Sequence, residues 1–471
     1  MAFLRARLRK RIIVGCIILI PYLIYFSNWK FTYETKVEVS RNYLQGVKYE
    51  DYYIKADGYY KFSSQTVGLI IGNNRSDYRS QQMESSLLYE FSPDIEENVR
   101  NLFINENGTN DQLEFHVISP AILPYKGNIM VVARVWLNYE RRRSVDRLNE
   151  KNQWMDNYLY SQMFDGKMHP ISPGKLLGIP APVQYKMNAG CSDARLFKWM
   201  GSLMISFYMT IRDNKSIDIG QLYLLDYEHN IIRKPKIVNH TIARIDSNWA
   251  PLIINESLHF VYTMDPLRIL KCTREENMDI ICHFIMSIDT ALVEYPFHRR
   301  TDFLRGGSPF LPYKESYFIS VTHSTLTYIT DDQEWPHPIY GAHIVLLKVY
   351  PFRIIYVSER LKIHPRIYDK IPIVRNKYIL HPFLYPIGLI IEDSNTIDIG
   401  IHINDYRAFI IRLTGIENVL DEAIMIDSGN NGYKETAQPR SIQQFVKHSL
   451  QKSHFNQTWR IEEENTKQNI S

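Results

Sequence analysis

Five stretches of this 471-residue chain repeat one pattern. A chain built from copies of a strand-rich unit can bury its faces only by stacking each copy against its neighbours. The clearest pair is SPAILPYKGNIMVVARV (119–135) and SPFLPYKESYFISVTH (308–323), which share SP, then LPYK, then a strand-like run. Looser copies are SDARLFKWMGSLMISFYMT (192–210), APLIINESLHFVYTM (250–264) and HPFLYPIGLIIED (381–393). Pro120, Asp193, Pro251, Pro309 and Pro382 mark the same place in each, spaced widely enough for one four-stranded blade apiece. DNKSIDIG (213–220) recurs as DSNTIDIG (393–400), a polar turn leading into a strand. The expected fold is all-β: a five-bladed β-propeller preceded by an N-terminal transmembrane anchor. The competing reading is a generic all-β protein with chance similarity.

The 32 tyrosines and 21 phenylalanines suit strands and supply a large core. A formal net charge of +4, from 55 basic and 51 acidic residues, gives no reason to invoke nucleic acid.

The first thirty residues point to a compartment. Arg5, Arg7, Arg9, Lys10 and Arg11 precede an apolar run from Ile12 to Phe26, closed by Trp29. The run is short for a bilayer that needs about 20 residues, and it suits a thinner early-secretory membrane. No small-residue cleavage pattern follows it, which argues against a removed signal peptide. The charge bias places 1–11 in the cytosol, 12–29 in the membrane as a signal anchor, and the rest in the lumen. The remaining divisions are a stem merging into the body (30–103), a propeller (104–415) and a C-terminal extension (416–471). Within that extension, IENVLDEAIMI reads as the end of the last blade or a short helix.

Asn74, Asn107, Asn214, Asn239, Asn255, Asn456 and Asn469 head acceptor sequons, in keeping with a glycosylated lumenal body. Cys272 and Cys282 flank TREENMDII, a hairpin turn, and a bridge closing so short a loop contributes about 2–3 kcal/mol. No CxxC, HExxH or paired zinc-ligand spacing occurs, so no structural metal is expected.

Chemistry is expected where inner strands begin. In GCSDARLF (190–197), Asp193 and Arg195 are two positions apart, which places both side chains on one strand face. A lone carboxylate at a propeller mouth suits general acid or base work, and Arg195 would orient it or bind sugar hydroxyls. A purely structural Asp–Arg pair is the alternative. Trp249 is large enough to stack on a sugar, or is core. Asp265 accepts hydroxyl hydrogen bonds, or begins a turn. In LRGGSPF (304–310), Gly306 and Gly307 permit close backbone approach to a ligand, with Arg305 for an anionic group. Arg134, His323 and His343 stand at or beyond inner-strand ends.

The anchor, GCSDARLF, SNWAPL…LHFVYTMDPLRILKC with a later Cys282, and LRGGSPF together resemble fungal β-mannosyltransferases that add β-1,2-linked mannose to cell-wall mannan. The resemblance spans about Ser119 to Asp393. More distantly, the pieces are similar to five-bladed β-mannoside phosphorylases and hydrolases, where an EDPR-like aspartate transfers the proton. Asp193 and Arg195 match that motif; Ser192 and Ala194 depart from it. The resemblance implies a Golgi or secretory-pathway enzyme, GDP-mannose as donor and a mannan or glycan acceptor. It implies inverting transfer with Asp193 as base and Arg195 or Arg305 on the diphosphate. No two aspartates are spaced i, i+2, so no metal or other cofactor is expected. The rivals are a β-mannoside phosphorylase or hydrolase, and a non-catalytic sugar-binding propeller.

Overall fold

Runs rich in Ile, Val, Tyr and Phe, punctuated by short polar turns, form strands throughout the computed structural model. It describes residues 59–64, 66–67, 81–91, 93–107, 115–137, 157–179, 190–212, 218–240, 246–264, 267–275, 279–286, 303–328, 337–358, 361 and 383–429. All of them belong to one compact unit; a second, 1–52 with 329–336, lies outside the described residues. So do the expected cytosolic tail and anchor, together with Asn74, Asn214, Asp265, Asn456 and Asn469. No helix among the described residues is long and apolar enough to cross a membrane.

The described chain opens with β1 (Tyr59–Ser64), β2 (Thr66–Val67), β3 (Gln81–Glu90) and helix α1 (Pro93–Asn107), which starts on a proline preset for the first helical turn. Five antiparallel groups follow. The first is β4 (Phe115–Tyr125), β5 (Asn128–Leu137), β6 (Asn157–Phe164) and β7 (Lys175–Leu176). The second is β8 (Gly190–Trp199), β9 (Ser202–Arg212), β10 (Asp218–Asp226) and β11 (Ile231–Arg233). After β12 (Lys236–Ile237) comes the third: β13 (Ala250–Ile254), β14 (Ser257–Met264), β15 (Leu267–Arg274) and β16 (Ile280–Met286). The fourth is β17 (Phe303–Arg305), β18 (Leu311–Lys314), β19 (Tyr317–Tyr328), β20 (His337–Lys348) and β21 (Arg353–Ser358). The fifth is β22 (Leu384–Ile391), β23 (Thr396–Ile403) and β24 (Arg407–Thr414), trailed by helix α2 (Glu417–Gly429).

These strands hydrogen-bond into four sheets, none of them closed on itself. The eight-stranded sheet contains the first two groups, which meet through a single parallel pair, Asn157 with Gly190. Gly190 has φ +101°, and a Cβ there would fall 2.2 Å from the Asn157 carbonyl oxygen, so only glycine fits this junction. Packing runs in cyclic order. Strand β4 touches β8, β8 touches β13, β14 touches β17, β19 touches β22, and β22 returns to β4.

Two boundaries differ from expectation. Strand β3 pairs with β24 and β2 with β21, so the first strands complete the last two groups and the folded body begins well before residue 104. At the other end, Ile416, Val419, Leu420 and Ala423 form one apolar helical stripe packed into the largest core cluster. Residues as far as 429 are therefore body, not extension.

The repeat is real in local geometry, but its markers do not fall at equivalent positions. The first hairpins of three successive groups turn through left-handed pairs: Lys126–Gly127, Met200–Gly201 and Asn255–Glu256. Counting back from those turns aligns Ser119, not Pro120, and Asn248, not Pro251, with Asp193. All three are left-handed, with φ of 53°, 52° and 72°. The IDIG echo falls at unequal ranks: it opens the third strand of one group and the second of another.

Cys272 and Cys282 stand opposite each other in the β15–β16 ladder and are bonded, buried in an apolar cluster. Asn239 and Asn255 are exposed, and Asn107 closes α1.

Candidate active site

The start of β8 carries a bulge: Ser192 pairs with Tyr208 and Arg195 with Ser206, leaving Asp193 and Ala194 opposite no regular partner. The extra residue breaks the alternation on which a shared Asp193–Arg195 face depends. The two side chains consequently part. Arg195 is buried, 1% exposed, and its guanidinium donates to four protein oxygens. Nε–H donates to the Gly307 carbonyl, and Nη1 to the Asp193 main-chain carbonyl at 3.0 Å. Nη2 donates to the Gly306 carbonyl at 3.3 Å and to Asn248 Oδ1 at 3.5 Å. Arg195 is thus a staple joining three strand groups, rather than an arm for sugar or diphosphate.

The arginine that faces the Asp193 carboxylate is Arg134, on β5. Its Nη1 lies 4.0 Å from Asp193 Oδ1, and the two side chains are 12% and 21% exposed. Arg134 is itself held: Nε–H donates to Asn157 Oδ1 at 2.7 Å, and the guanidinium lies 4.3 Å over the Trp136 ring. Asn157 is also the residue at the β6–β8 junction, so the element that joins the first two groups sets the cation beside Asp193.

Gly306 and Gly307 approach the chain's own backbone rather than an open site. A Cβ would fall 2.2 Å from the Asn248 carbonyl at Gly306, and 2.2 Å from the Val321 carbonyl at Gly307. Arg305 is half-buried and pairs in register with His323. His323 is buried, and burial pushes its imidazole well below the ordinary range, with the Arg305 and Arg195 charges acting the same way. His323 Nδ1 has no hydrogen-bond partner among the described residues.

Trp249 belongs to the core. It is 1% exposed, donates Nε1–H to Asp246 Oδ1 at 3.0 Å and packs edge-on against Phe260 and Tyr262. Asp246 also accepts from the Tyr262 hydroxyl at 2.6 Å, and burial raises its carboxyl above the usual range. His343 is buried too, within hydrogen-bond distance of Ser324 Oγ and the Ser358 carbonyl.

Two residues that the sequence reading passed over complete the arrangement. Asn248 accepts through Oδ1 from both Arg195 and the Tyr385 hydroxyl, the latter at 3.1 Å. Tyr385 lies between the rings of His323 and His402, with centroids at 4.4 and 4.9 Å. Burial raises its hydroxyl well above the ordinary phenol range, and the Asp193 charge adds to the effect. Asn248 stands just before the third repeat copy, in SNWAPL, and Tyr385 inside the fifth, in HPFLYP. Their polarity at inner-strand starts was the available signal.

Asp193, Arg134, Asn248, Arg305, Tyr385 and His323 thereby share one neighbourhood, built from all five groups. A partly exposed carboxylate beside a fixed cation can accept a proton while remaining oriented.

No protein-family model matches the chain. Over 136 residues it is 26% identical to Beta-mannosyltransferase 2 of Komagataella phaffii; the match covers 27% of this chain and 20% of that protein. The chain thus spans about a fifth of the curated relative it matches. Among solved structures it is similar to MPT-4, a mannose phosphorylase from Leishmania mexicana (13% identity, 66% of this chain, 86% of that one, TM-score 0.39). It is also similar to MPT-1, a GDP-Man-dependent mannosyltransferase from the same organism (8% identity, 69% and 96%, TM-score 0.37). TM-scores this low leave the fold to be judged from the chain's own strand pairing.

Proposed function

We propose that this chain is a mannosyl-handling enzyme: an inverting β-mannosyltransferase that takes GDP-mannose and adds mannose, in β-1,2 linkage, to mannan or glycoprotein glycans. The observation that carries the reading is the bulged Asp193, whose carboxylate is partly exposed beside Arg134. The partial match to a yeast β-mannosyltransferase supports the choice of sugar. The cyclic packing of five strand groups supports a five-bladed propeller, with Asp193 at the mouth where inner strands begin. An N-terminal anchor and a lumenal body in the Golgi belong to the same reading, on the basic-then-apolar pattern of the first thirty residues.

GDP-mannose is α-linked, so a single in-line displacement yields the β product. The acceptor oxygen bonds to the anomeric carbon, and its proton passes to Asp193 directly or through a sugar hydroxyl. The bond from that carbon to the diphosphate oxygen breaks, and its electron pair leaves with GDP. Arg134 faces the base and orients it, and Arg305 supplies positive charge for the leaving group.

The test offers purified protein two substrate sets: GDP-mannose with a mannan acceptor, and inorganic phosphate with a β-mannoside. Transfer is expected from the first. Phosphate-dependent cleavage of the second would replace the transferase with a phosphorylase. Asp193→Asn should lower turnover by about 10²–10⁴ without changing melting temperature; an undiminished rate would remove Asp193 from the chemistry.

A further inference from the structure

We infer that Ser119, His402 and Asp405 form a positioning relay that fixes Tyr385, and through Tyr385 the surroundings of Asp193. His402 interrupts an apolar strand, TIDIGIHI, where its neighbours Ile401 and Ile403 are core residues. A histidine buried in such a run loses hydration at both ring nitrogens, so both need a use. Nδ1 lies 3.0 Å from the Ser119 hydroxyl. Nε2 lies 2.9 Å from Asp405 Oδ1, at ion-pair distance but out of line for a regular hydrogen bond. The ring thus has an oxygen beside each nitrogen, the Ser119 hydroxyl at Nδ1 and the Asp405 carboxylate at Nε2.

Both partners come from unusual backbone. Ser119 has φ 53°, and Asp405, also 53°, sits in the left-handed Asn404–Asp405 turn between β23 and β24. Such conformations persist where the surroundings over-determine them. Here two of them, on different strand groups, present oxygens to one imidazole. The seam between those groups is tight: at Gly400 a Cβ would fall 2.0 Å from the Pro120 carbonyl oxygen.

The ring serves as a platform. His402 stacks on Tyr385 at 18° between planes, while Phe383 meets its edge. Tyr385 is held on its other side by His323 and at its hydroxyl by Asn248. With both ring neighbours and the hydroxyl engaged, its position beside Asp193 depends on His402 staying in place. The effect on turnover rests on the mannosyl-transfer reading above; the relay itself does not.

The experiment places 3-fluorotyrosine at position 385 of the full chain and follows its fluorine resonance, with nitrogen-15 spectra of the histidines. His402→Phe keeps a ring beneath Tyr385 but removes both nitrogens. Ser119→Asn tolerates the left-handed backbone but removes the hydroxyl. The 385 resonance should move in both variants, and Ser119→Asn should shift the Nδ1 resonance of His402. In mannosyl transfer, His402→Phe should lower kcat about 10–100-fold with KM within about twofold, as expected when a positioned group drifts. A 385 resonance unmoved by His402→Phe overturns the relay whatever the enzyme's activity. A moved resonance in a protein without mannosyl transfer upholds the relay and rejects the reaction.

Discussion

Ser119, Asp193 and Asn248 adopt a backbone conformation that costs a non-glycine residue about 1–2 kcal/mol, with Asp and Asn best suited to it. Each offsets the cost through its side chain: Ser119 on His402, Asp193 facing Arg134, Asn248 on Arg195 and Tyr385. Arg195 is the residue on which most depends. Arg195→Met would leave several buried carbonyls without a donor, at about 1–3 kcal/mol each. We expect the melting temperature to fall by several degrees and Arg195→Lys to restore it only partly, since ammonium lacks the planar fork. A melting curve unchanged in Arg195→Met would contradict the staple. His323 gives a pH signature. The unfolded chain takes up a proton at this residue near the usual histidine value of about 6.5, while the folded chain, whose imidazole is held well below that, does not. Stability should therefore fall as pH drops below about 6.5. His323→Gln removes this uptake, so its urea midpoint should decline less between pH 7 and pH 5 than that of the parent. Parallel declines would show that His323 does not set the slope.

One hairpin was legible in sequence: the cysteine-flanked TREENMDII joins the paired strands β15 and β16. The turns at Met200–Gly201 and Asn255–Glu256 carry none of the usual turn pairs and were not read. The misalignment of the repeats has a local cause. The left-handed position is selected for its backbone conformation, and Ser, Asp and Asn all meet that demand, so no shared letter marks it. Arg195 and Trp249 misled for another reason. What buries them, Gly306 and Gly307 in one case and Asp246 in the other, comes from a different strand group or an irregular connection. Spacing along one strand contains no record of either. At this scale the disulfide is the simplest thing to test. Replacing Cys272 and Cys282 by alanine should cost about 2–3 kcal/mol, read as a lower denaturant midpoint with unchanged slope. Gly190→Ala should be as damaging, because the new methyl meets the Asn157 carbonyl at the junction that also holds Arg134.

Across the described residues, a late strand is fastened to an early one. Strand β24 is paired along β3, and Arg407 donates to Glu90 across 317 positions of sequence. Deleting residues 1–90 should expose the β24 edge, and light scattering should report aggregation at concentrations where the full chain stays clear. A monodisperse truncated protein would show that β3 is dispensable. The pairing also sets a timetable for synthesis. A ribosome adds about 5–20 residues per second, so β3 is made roughly 15–65 s before its partner. Throughout that interval β3 has β1 along one edge and nothing along the other, and the last group cannot settle until its closing strand has been translated. A nascent polypeptide stalled just short of β24 would hold its earlier groups ready while one edge of β3 waited unpaired.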